Sequence, residues 1–575
     1  MSLFQTSPSV KPAPPATIYR IKFTDIWPLI TRLFREEKRD IAVVFVYGVV
    51  ASILGLVVPL SSQAIVNAVA LGVHSEQLVV LCVIVLLAML AMAVVLIFQR
   101  HVIDYIQRRQ FLTTAREMVL RLPQVQEAVY ESVYAPELVN RFFDVVTVQK
   151  AISKFLLDGI AALLSLATGL IVLGLYHPYF LLYDLLFILF IPVLVFVFGR
   201  KAIATSVNES SKKYKTVEWI EEVARSHRSI KLGNGYDYAV ARVDKLALEY
   251  AEAKEVHFQI FARQILGSYI FKAFAMVGIL AVGGNLVIHQ QLSLGQLVAA
   301  EILIVLMMGA MDKILTLFDI YYEFAAALTK IESVNDLPLE HSGSIEIRGG
   351  AGKRALELID VRLRENADTI SCTIIQGTQT AIMCTDPADA ALLGKMMTGL
   401  QFPLHGRAEV FGLSTTSATI SSLHRHAAYI DIDDVVHHGT IYDNIVMNRS
   451  ITPEEIDRLL AITSLTDEIR ALREGIHTTT DTLGRNLSDS IRLRIILARA
   501  LAAKPMILVI NGIIERLDRR LQEQLFTSLR TLNETAVVHV TRSAAIVQRS
   551  DYAIIIDNGA ILSQGVPSEL KVPEL

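Results

Sequence analysis

Three long stretches of this chain contain neither lysine nor arginine: 60 residues between Arg39 and Arg100, 45 between Lys154 and Arg200, and 40 between Lys272 and Lys313. One helical crossing of a bilayer needs about 20 apolar residues, so each stretch has room for two. Each also holds a short polar break where a hairpin would turn: Leu71-Gly72-Val73-His74-Ser75-Glu76, His177-Pro178-Tyr179 and His289-Gln290-Gln291-Leu292-Ser293. The segments between the stretches are rich in basic residues, which marks them as cytoplasmic. The pattern predicts six transmembrane helices in three outward hairpins, with both termini and the long connections inside. Apolar helices buried in a large soluble core would not sustain stretches of this length without a basic residue.

Composition agrees. Charged residues make up 19% of the 575 residues and hydrophobic ones 53%, against about 25% charged in an ordinary soluble domain. The length points to two to four domains. A net charge of −3 argues against nucleic acid as a partner, because phosphate binding needs a basic excess. The three cysteines, Cys82, Cys372 and Cys384, are scattered; they imply neither a disulfide framework nor a metal site. No secretory signal peptide is expected at the start of the chain. Residues 1–24 are rich in Ser, Pro and Ala and are expected to be disordered. Residues 25–39, with Trp27 followed by Arg32, Arg35, Lys38 and Arg39, read as an amphipathic helix on the inner surface. Residues 40–335 form the membrane domain. Its connections mix charged and apolar residues at helical spacing over 107–122 and 216–231, so the membrane helices are expected to continue into the cytoplasm.

After a linker over 336–350, residues 351–575 alternate short β-branched runs with helical stretches. Strands are expected at 355–358, 380–384, 408–411, 427–431, 506–510, 536–540 and 553–557, which indicates an α/β domain. The fold class is therefore an α-helical membrane domain followed by a C-terminal α/β domain.

That order of parts resembles the half-transporters of the ABC exporter family (the type I, or type IV-fold, arrangement) over nearly the whole chain. Residues 136–150 (PELVNRFFDVVTVQK) look like the segment after the first cytoplasmic connection of such exporters. Ser293-Leu294-Gly295-Gln296-Leu297 resembles the entry to their sixth helix, and residues 551–570 are similar to the closing strands of their P-loop ATPase domain. The resemblance implies a homodimer, or a heterodimer with another ABC subunit, and puts coupling helices at 129–135 and 217–224. No N-terminal peptidase domain is expected, since the surface helix begins near residue 26.

The resemblance fails where the family carries its chemistry. In the family, a loop G-x-x-G-x-G-K-[ST] cradles phosphates with backbone N–H groups, neutralises them with lysine and holds Mg²⁺ through the hydroxyl. The matching run here is Cys384-Thr385-Asp386-Pro387-Ala388-Asp389-Ala390-Ala391, with Ala390 in the lysine position and Ala391 in the hydroxyl position. Asp386, Pro387 and Asp389 read instead as N-cap, N1 and N3 of an ordinary helix start. The adenine-stacking aromatic corresponds to Glu365, and the metal-contacting glutamine to Ile432. The LSGGQ signature becomes Leu487-Ser488-Asp489-Ser490-Ile491, the Asp-Glu pair of metal ligand and general base becomes Asn511-Gly512, and the switch histidine becomes Arg542. Since phosphoryl transfer is catalysed almost wholly by positioning and charge stabilisation, no ATP hydrolysis is expected. ATP and Mg²⁺ binding are expected to be weak or absent, and no other cofactor or metal is implied.

Polar residues within the apolar stretches are candidates for a substrate path: Glu301, Asp184, Asn285, Gln63 and Asn67. Each has a plainer reading in helix–helix hydrogen bonding or an interfacial position. The sequence therefore indicates an ABC exporter-like subunit of a bacterial inner membrane that has lost ATPase chemistry and works with partner proteins, a periplasmic adaptor among them. The rivals are a non-transporting scaffold or regulator of a membrane complex, and the passive half of an ATP-driven heterodimer.

Overall fold

The computed structural model describes residues 35, 37–70, 75–132, 135–194, 197, 199, 201–348, 354–364 and 368–572. The tail expected over 1–24, most of the surface helix expected over 25–39, and Glu365 lie outside the described residues. The chain divides into two units, Met1–Pro123 with Ser132–Leu337 and Gln124–Glu131 with Pro338–Leu575.

The first unit is helical: α1 Lys38–Gly55, α2 Val57–Ala70, α3 Ser75–Arg121, α4 Phe143–Lys154, α5 Ile160–Tyr176, α6 Phe180–Val193, α7 Ala202–Arg225, α8 Tyr236–Ile288 and α9 Leu294–Asn335. Helices α1 and α2 part at Leu56 for a local reason. Pro59 has no N–H to donate to Gly55, and its ring would clash with that carbonyl in a continuous helix. A single π turn, Phe155–Gly159, joins α4 to α5.

Among the described residues, five helical stretches are long and apolar enough to cross a membrane: Lys38–Ala70, Leu78–Gln124, Leu138–Tyr176, Tyr236–Ile288 and Leu294–Leu328. The helix expected to complete the second hairpin, α6, has 14 residues, about 21 Å at 1.5 Å per residue. By the same rise the 53-residue α8 is about 80 Å long, well beyond a hydrocarbon thickness of ~30 Å. One apolar core gathers Phe180, Phe187, Ile279, Leu286 and Met307; a second gathers Val44, Ile106, Ile152 and Phe324.

The second unit contains two main sheets. The antiparallel one has the order β2-β1-β4-β5, from β1 Arg354–Val361, β2 Ile370–Ile375, β4 Arg407–Val410 and β5 Leu413–Ser414. The larger has the order β12-β11-β3-β10-β9-β6. In it β3 Gln379–Cys384, β6 Ala427–Asp431, β9 Ile507–Asn511, β10 Ala536–Thr541 and β11 Tyr552–Asp557 run parallel, and β12 Ala560–Gly565 closes the edge antiparallel. A small ribbon pairs β7 Gly439–Thr440 with β8 Thr479–Thr480.

Each of the seven strands expected from the sequence is present within a few residues of its expected bounds. Strand β2, not among the seven expected strands, alternates buried and exposed residues, with Ser371 and Thr373 on the open face. Strands β3 and β10 are buried at every position, which is why they read as unbroken runs.

Two helices position the polar residues of this unit: α10 Pro387–Thr398, following β3, and α11 Asp489–Ala502. Residues 124–131 join it as well. The Gln126 N–H donates to the Pro338 carbonyl at 3.0 Å, and the Glu340 N–H to the Gln124 carbonyl at 2.8 Å. Lys395 of α10 bridges Glu127 and Glu131 at 3.0 and 2.8 Å.

Helix α10 meets β6 at a glycine. A Cβ on Gly394 would stand 2.4 Å from the ring of Tyr429. Overpacking of this kind costs about 1–3 kcal/mol. Gly394→Ala should therefore lower the thermal unfolding midpoint of the purified chain; an unchanged midpoint would mean that the Tyr429 ring yields freely.

Candidate functional site

Strand β3 runs into α10 through Cys384, Thr385 and Asp386. The Thr385 hydroxyl donates to the Asp557 carboxylate at 2.5 Å, which holds the turn against the end of β11. Asp386 has extended backbone and is the N-cap, its side chain accepting the Ala388 N–H at 2.9 Å; Pro387 follows at N1. The first turn therefore offers one N–H fewer at Pro387 and has another engaged at Ala388.

Arg364, just after β1, closes the same end. Its Nε donates to Asp389 at 2.9 Å, and its terminal nitrogen pairs with both Asp389, at 2.8 Å, and Asp386. The Asp389 side chain is 3% exposed and that of Arg364 is 49% exposed, so the cation lies across the top of a buried carboxylate. The Ala388 N–H, and then the Arg364 guanidinium, hold the Asp386 carboxyl below its ordinary value. Burial pushes the Cys384 thiol up to about 12, and Asp389 and Asp386 push it the same way. Ala390 is buried and Ala391 half-buried. The N-terminus of α10, a place suited to an external anion, is thus occupied by two carboxylates of the chain and capped by its own arginine.

The neighbouring strand ends are also paired among themselves. Asp431 of β6 lies opposite Asn511 of β9 in the parallel register. The Asn511 amide donates to Asp431 at 2.7 Å and to the Tyr429 hydroxyl at 3.1 Å, and that hydroxyl donates to Asp431. Burial, reinforced by Asp431, raises the Tyr429 phenol. Gly512 turns left-handed at φ +65°, with Ile432 beside it. Arg542 is exposed, and its backbone N–H donates to Glu515 at 2.6 Å. His539 is buried on β10, its ring stacked on Phe526 at 4.5 Å and its Nε2 3.1 Å from Gln379. Burial lowers its pKa to about 3, so it is neutral and part of the core.

The run from Leu487 to Ile491 starts a helix. Ser488 is the N-cap of α11, accepting the Ile491 N–H at 3.3 Å, and Asp489 points outward to Arg492 at 3.2 Å. Leu487 and Ile491 pack against the core, while Ser490 is half-buried.

Of the five candidates in the first unit, Gln63 and Asn67 lie one turn apart on α2 and both stand against Gly295. Gln63 accepts from the Tyr176 hydroxyl at 2.7 Å, and Asn67 accepts the Gly295 N–H at 3.2 Å. Both serve helix–helix contacts. Asn285 is exposed and Glu301 half-buried. Asp184 is buried against Gly174, with one carboxylate oxygen lacking a hydrogen-bond partner.

Sequence reasoning missed Arg364, Tyr429 and Asp431. Arg364 and Asp389 stand 25 residues apart on separate elements, so only the sheet brings them together. A cavity of about 580 Å³ in the same unit is lined by Glu357, Ser371, Cys372, Thr380, Asp551 and Gln564, none of them among the predicted residues.

Residues 41–311 match the family described as ABC transporter transmembrane region. Over 99% of its length the chain is 22% identical to the lactococcin transport/processing ATP-binding protein LcnC-like of Lactococcus lactis, covering 80% of that protein. It is 24% identical to the alpha-hemolysin translocation ATP-binding protein HlyB of Escherichia coli over 53% of this chain and 44% of that one. With the Streptococcus pneumoniae (strain R6) transport/processing ATP-binding protein ComA the match is 22% over 57% and 47%. The matched stretch thus spans about half the length of these last two relatives. A bacterial Atm1-family ABC exporter solved with ATP bound superposes with a TM-score of 0.82 at 15% identity, over 93% of this chain and 96% of that one. Residues 41–311 are thus similar to an ABC transporter transmembrane region, and the chain has the fold of an ABC exporter.

The Arg364 bridge yields a test. Removing the cation leaves Asp389 buried and unpaired, which costs about 1–3 kcal/mol. Arg364→Ala should lower the unfolding midpoint, and adding Asp389→Ala should return part of the loss. A carboxyl held low in the folded chain contributes stability above its unfolded pKa, about 3.9, and loses it as pH falls through the lower folded value. Asp386 fits that case. Arg364→Ala should therefore shift acid unfolding to higher pH; an unmoved acid limb would contradict the bridge.

Proposed function

We propose that this chain is an ABC exporter-like transport subunit whose own ATP-binding domain has lost its catalytic and phosphate-binding residues. It crosses a bacterial inner membrane six times with both termini in the cytoplasm. It works as a dimer, with itself or with another ABC subunit, and serves export together with partner proteins such as a periplasmic adaptor. The domain is not an enzyme and holds neither ATP nor Mg²⁺ tightly.

The observation that carries the loss of ATP chemistry is the closure of the α10 N-terminus by Asp386, Asp389 and Arg364. The balance of terms supports it. A phosphate entering this site would meet two fixed carboxylates, and one like-charge pair at 4 Å opposes binding by about 4 kcal/mol at an effective dielectric of ~20. A hydrogen bond to a charged group returns only about 1.5–3 kcal/mol; with Ala390 in the lysine position the turn supplies no cation of its own, and the charge of the exposed Arg542 already acts on Asp386. Arg364 does not fill that role, since both carboxylates already engage it. At the neighbouring strand ends Asn511 and Asp431 are bonded to each other, and Gly512 supplies no base. Export follows from the transport and translocation named for the relatives together with the exporter fold.

An ATP-hydrolysis assay on the purified chain, free of other ABC subunits and reconstituted in lipid, tests the proposal. Turnover should not rise above the lipid and detergent blank. Robust turnover that vanadate inhibits would contradict it.

A further inference from the structure

The buried face of α8 changes character along its length. Its C-terminal half presents Ala275, Ile279, Gly283 and Leu286. That half is close-packed: a Cβ on Gly283 would stand 2.5 Å from Leu297, and one on Gly278 would fall 1.9 Å from the Tyr183 hydroxyl. Further toward the N-terminus the same face presents His257, Gln264, Ser268 and Lys272, with Ala253 and Ile260 among them, all buried. Spacings of seven, four and four residues keep the polar groups on one stripe. The stripe is only partly satisfied: the His257 ring bonds the Thr205 hydroxyl at 2.9 Å. The Gln264 amide donates to the Leu194 carbonyl at 3.3 Å and the Tyr322 hydroxyl at 3.2 Å, yet its Oε1 and the Ser268 hydroxyl have no partner. An apolar, interlocked joint resists parting; a polar one with orphaned groups gains from water when it opens.

Four charges stand where one character gives way to the other. Lys272 pairs with Asp312 of α9, and the next residue, Lys313, faces Asp158 at 3.9 Å. Asp158 belongs to the π turn between α4 and α5, and such turns recur at functional sites. Lys272 precedes Ile288 by 16 residues, Asp312 follows Leu294 by 18, and Asp158 precedes Tyr176 by 18. At 1.5 Å per residue all three lie about 24–27 Å from the loop ends of their helices. The Lys272 side chain is 10% exposed and that of Asp312 53% exposed, so the pair has one buried member and one exposed one.

The geometry points to a charge latch: Lys272–Asp312, flanked by Asp158–Lys313, fastens α8, α9 and the π turn at one depth, and its opening lets α8 and α9 separate about their close-packed ends. Asp312 is exposed while the latch is closed. Lys272 is uncovered only if the polar stripe parts from α9, and this ties ion-pair rupture to helix separation. Removing Asp312 alone strands Lys272 in the seam, whereas replacing both charges with apolar groups leaves a dry joint. That the latch lies at the cytoplasmic side rests on the membrane orientation proposed above; the latch itself does not.

Spin labels at Val256→Cys on α8 and Thr316→Cys on α9, in a Cys82→Ser background, report the separation by pulsed electron resonance on the full chain in nanodiscs. Asp312→Asn should raise the long-distance population about fivefold, the upper range for a partly exposed pair. The reversed pair Lys272→Asp/Asp312→Lys and the apolar pair Lys272→Met/Asp312→Leu should both return to the parent distribution. An unchanged distribution in Asp312→Asn, or a reversed pair as spread as the single variant, overturns the latch. Should Asp312→Asn not fold, the reversed pair decides: a native elution profile with parent distances supports the latch, and failure to fold overturns it. Labelling of Asn285→Cys by an impermeant thiol reagent in intact cells tests the orientation separately.

Discussion

The N-terminus of α10 is the positive end of a helix dipole, with N–H groups that need acceptors. How the chain meets that need determines much of the second unit. Because Asp386 caps the helix, α10 begins at Pro387 directly off the end of β3. That start sets Gly394 against the ring of Tyr429. The hydroxyl of the same ring closes the Asp431–Asn511 pair at the ends of β6 and β9. One residue past Gly394, Lys395 reaches Glu127 and Glu131. A bound phosphate is not needed to hold any of these contacts, since the anion at the head of α10 is supplied covalently by the chain.

The two units apply one electrostatic rule in different settings. In each, a buried charged group is paired with a partially exposed partner: Asp389 with Arg364, and Lys272 with Asp312. The pair therefore buries one charge fully and the other only in part. In the second unit the pairing fills a site that would otherwise attract an anion. In the first it lies where an interlocked apolar seam gives way to a polar one, and there the same asymmetry makes the pair breakable.

What could be read from the sequence was what is local or periodic. The basic-free stretches show the apolar helices, because excluding charge from lipid acts on every residue of a span. The start of α10 was legible in Asp386-Pro387-Ala388-Asp389, because capping involves residues within one turn. Strands β9 and β10 were legible as unbroken apolar runs. Arg364 was not, because its partners Asp386 and Asp389 lie across β2 and β3 and only the folded sheets bring them close. Helix–helix hydrogen bonding was readable for Gln63 and Asn67, but not their partners, Tyr176 and Gly295 on distant helices. For the same reason the pairing of Lys272 with Asp312, 40 residues later, had no signal in either local segment.

The central proposal is that the C-terminal unit, in a chain with the fold of an ABC exporter, has its own carboxylates where a nucleotide phosphate would otherwise bind. Equilibrium binding of MgATP to the purified, lipid-reconstituted chain tests this most directly. The account predicts no saturable binding up to about 1 mM, where binding free energy falls to ~4 kcal/mol. Saturable binding at micromolar MgATP, lost on chelating Mg²⁺, would contradict it.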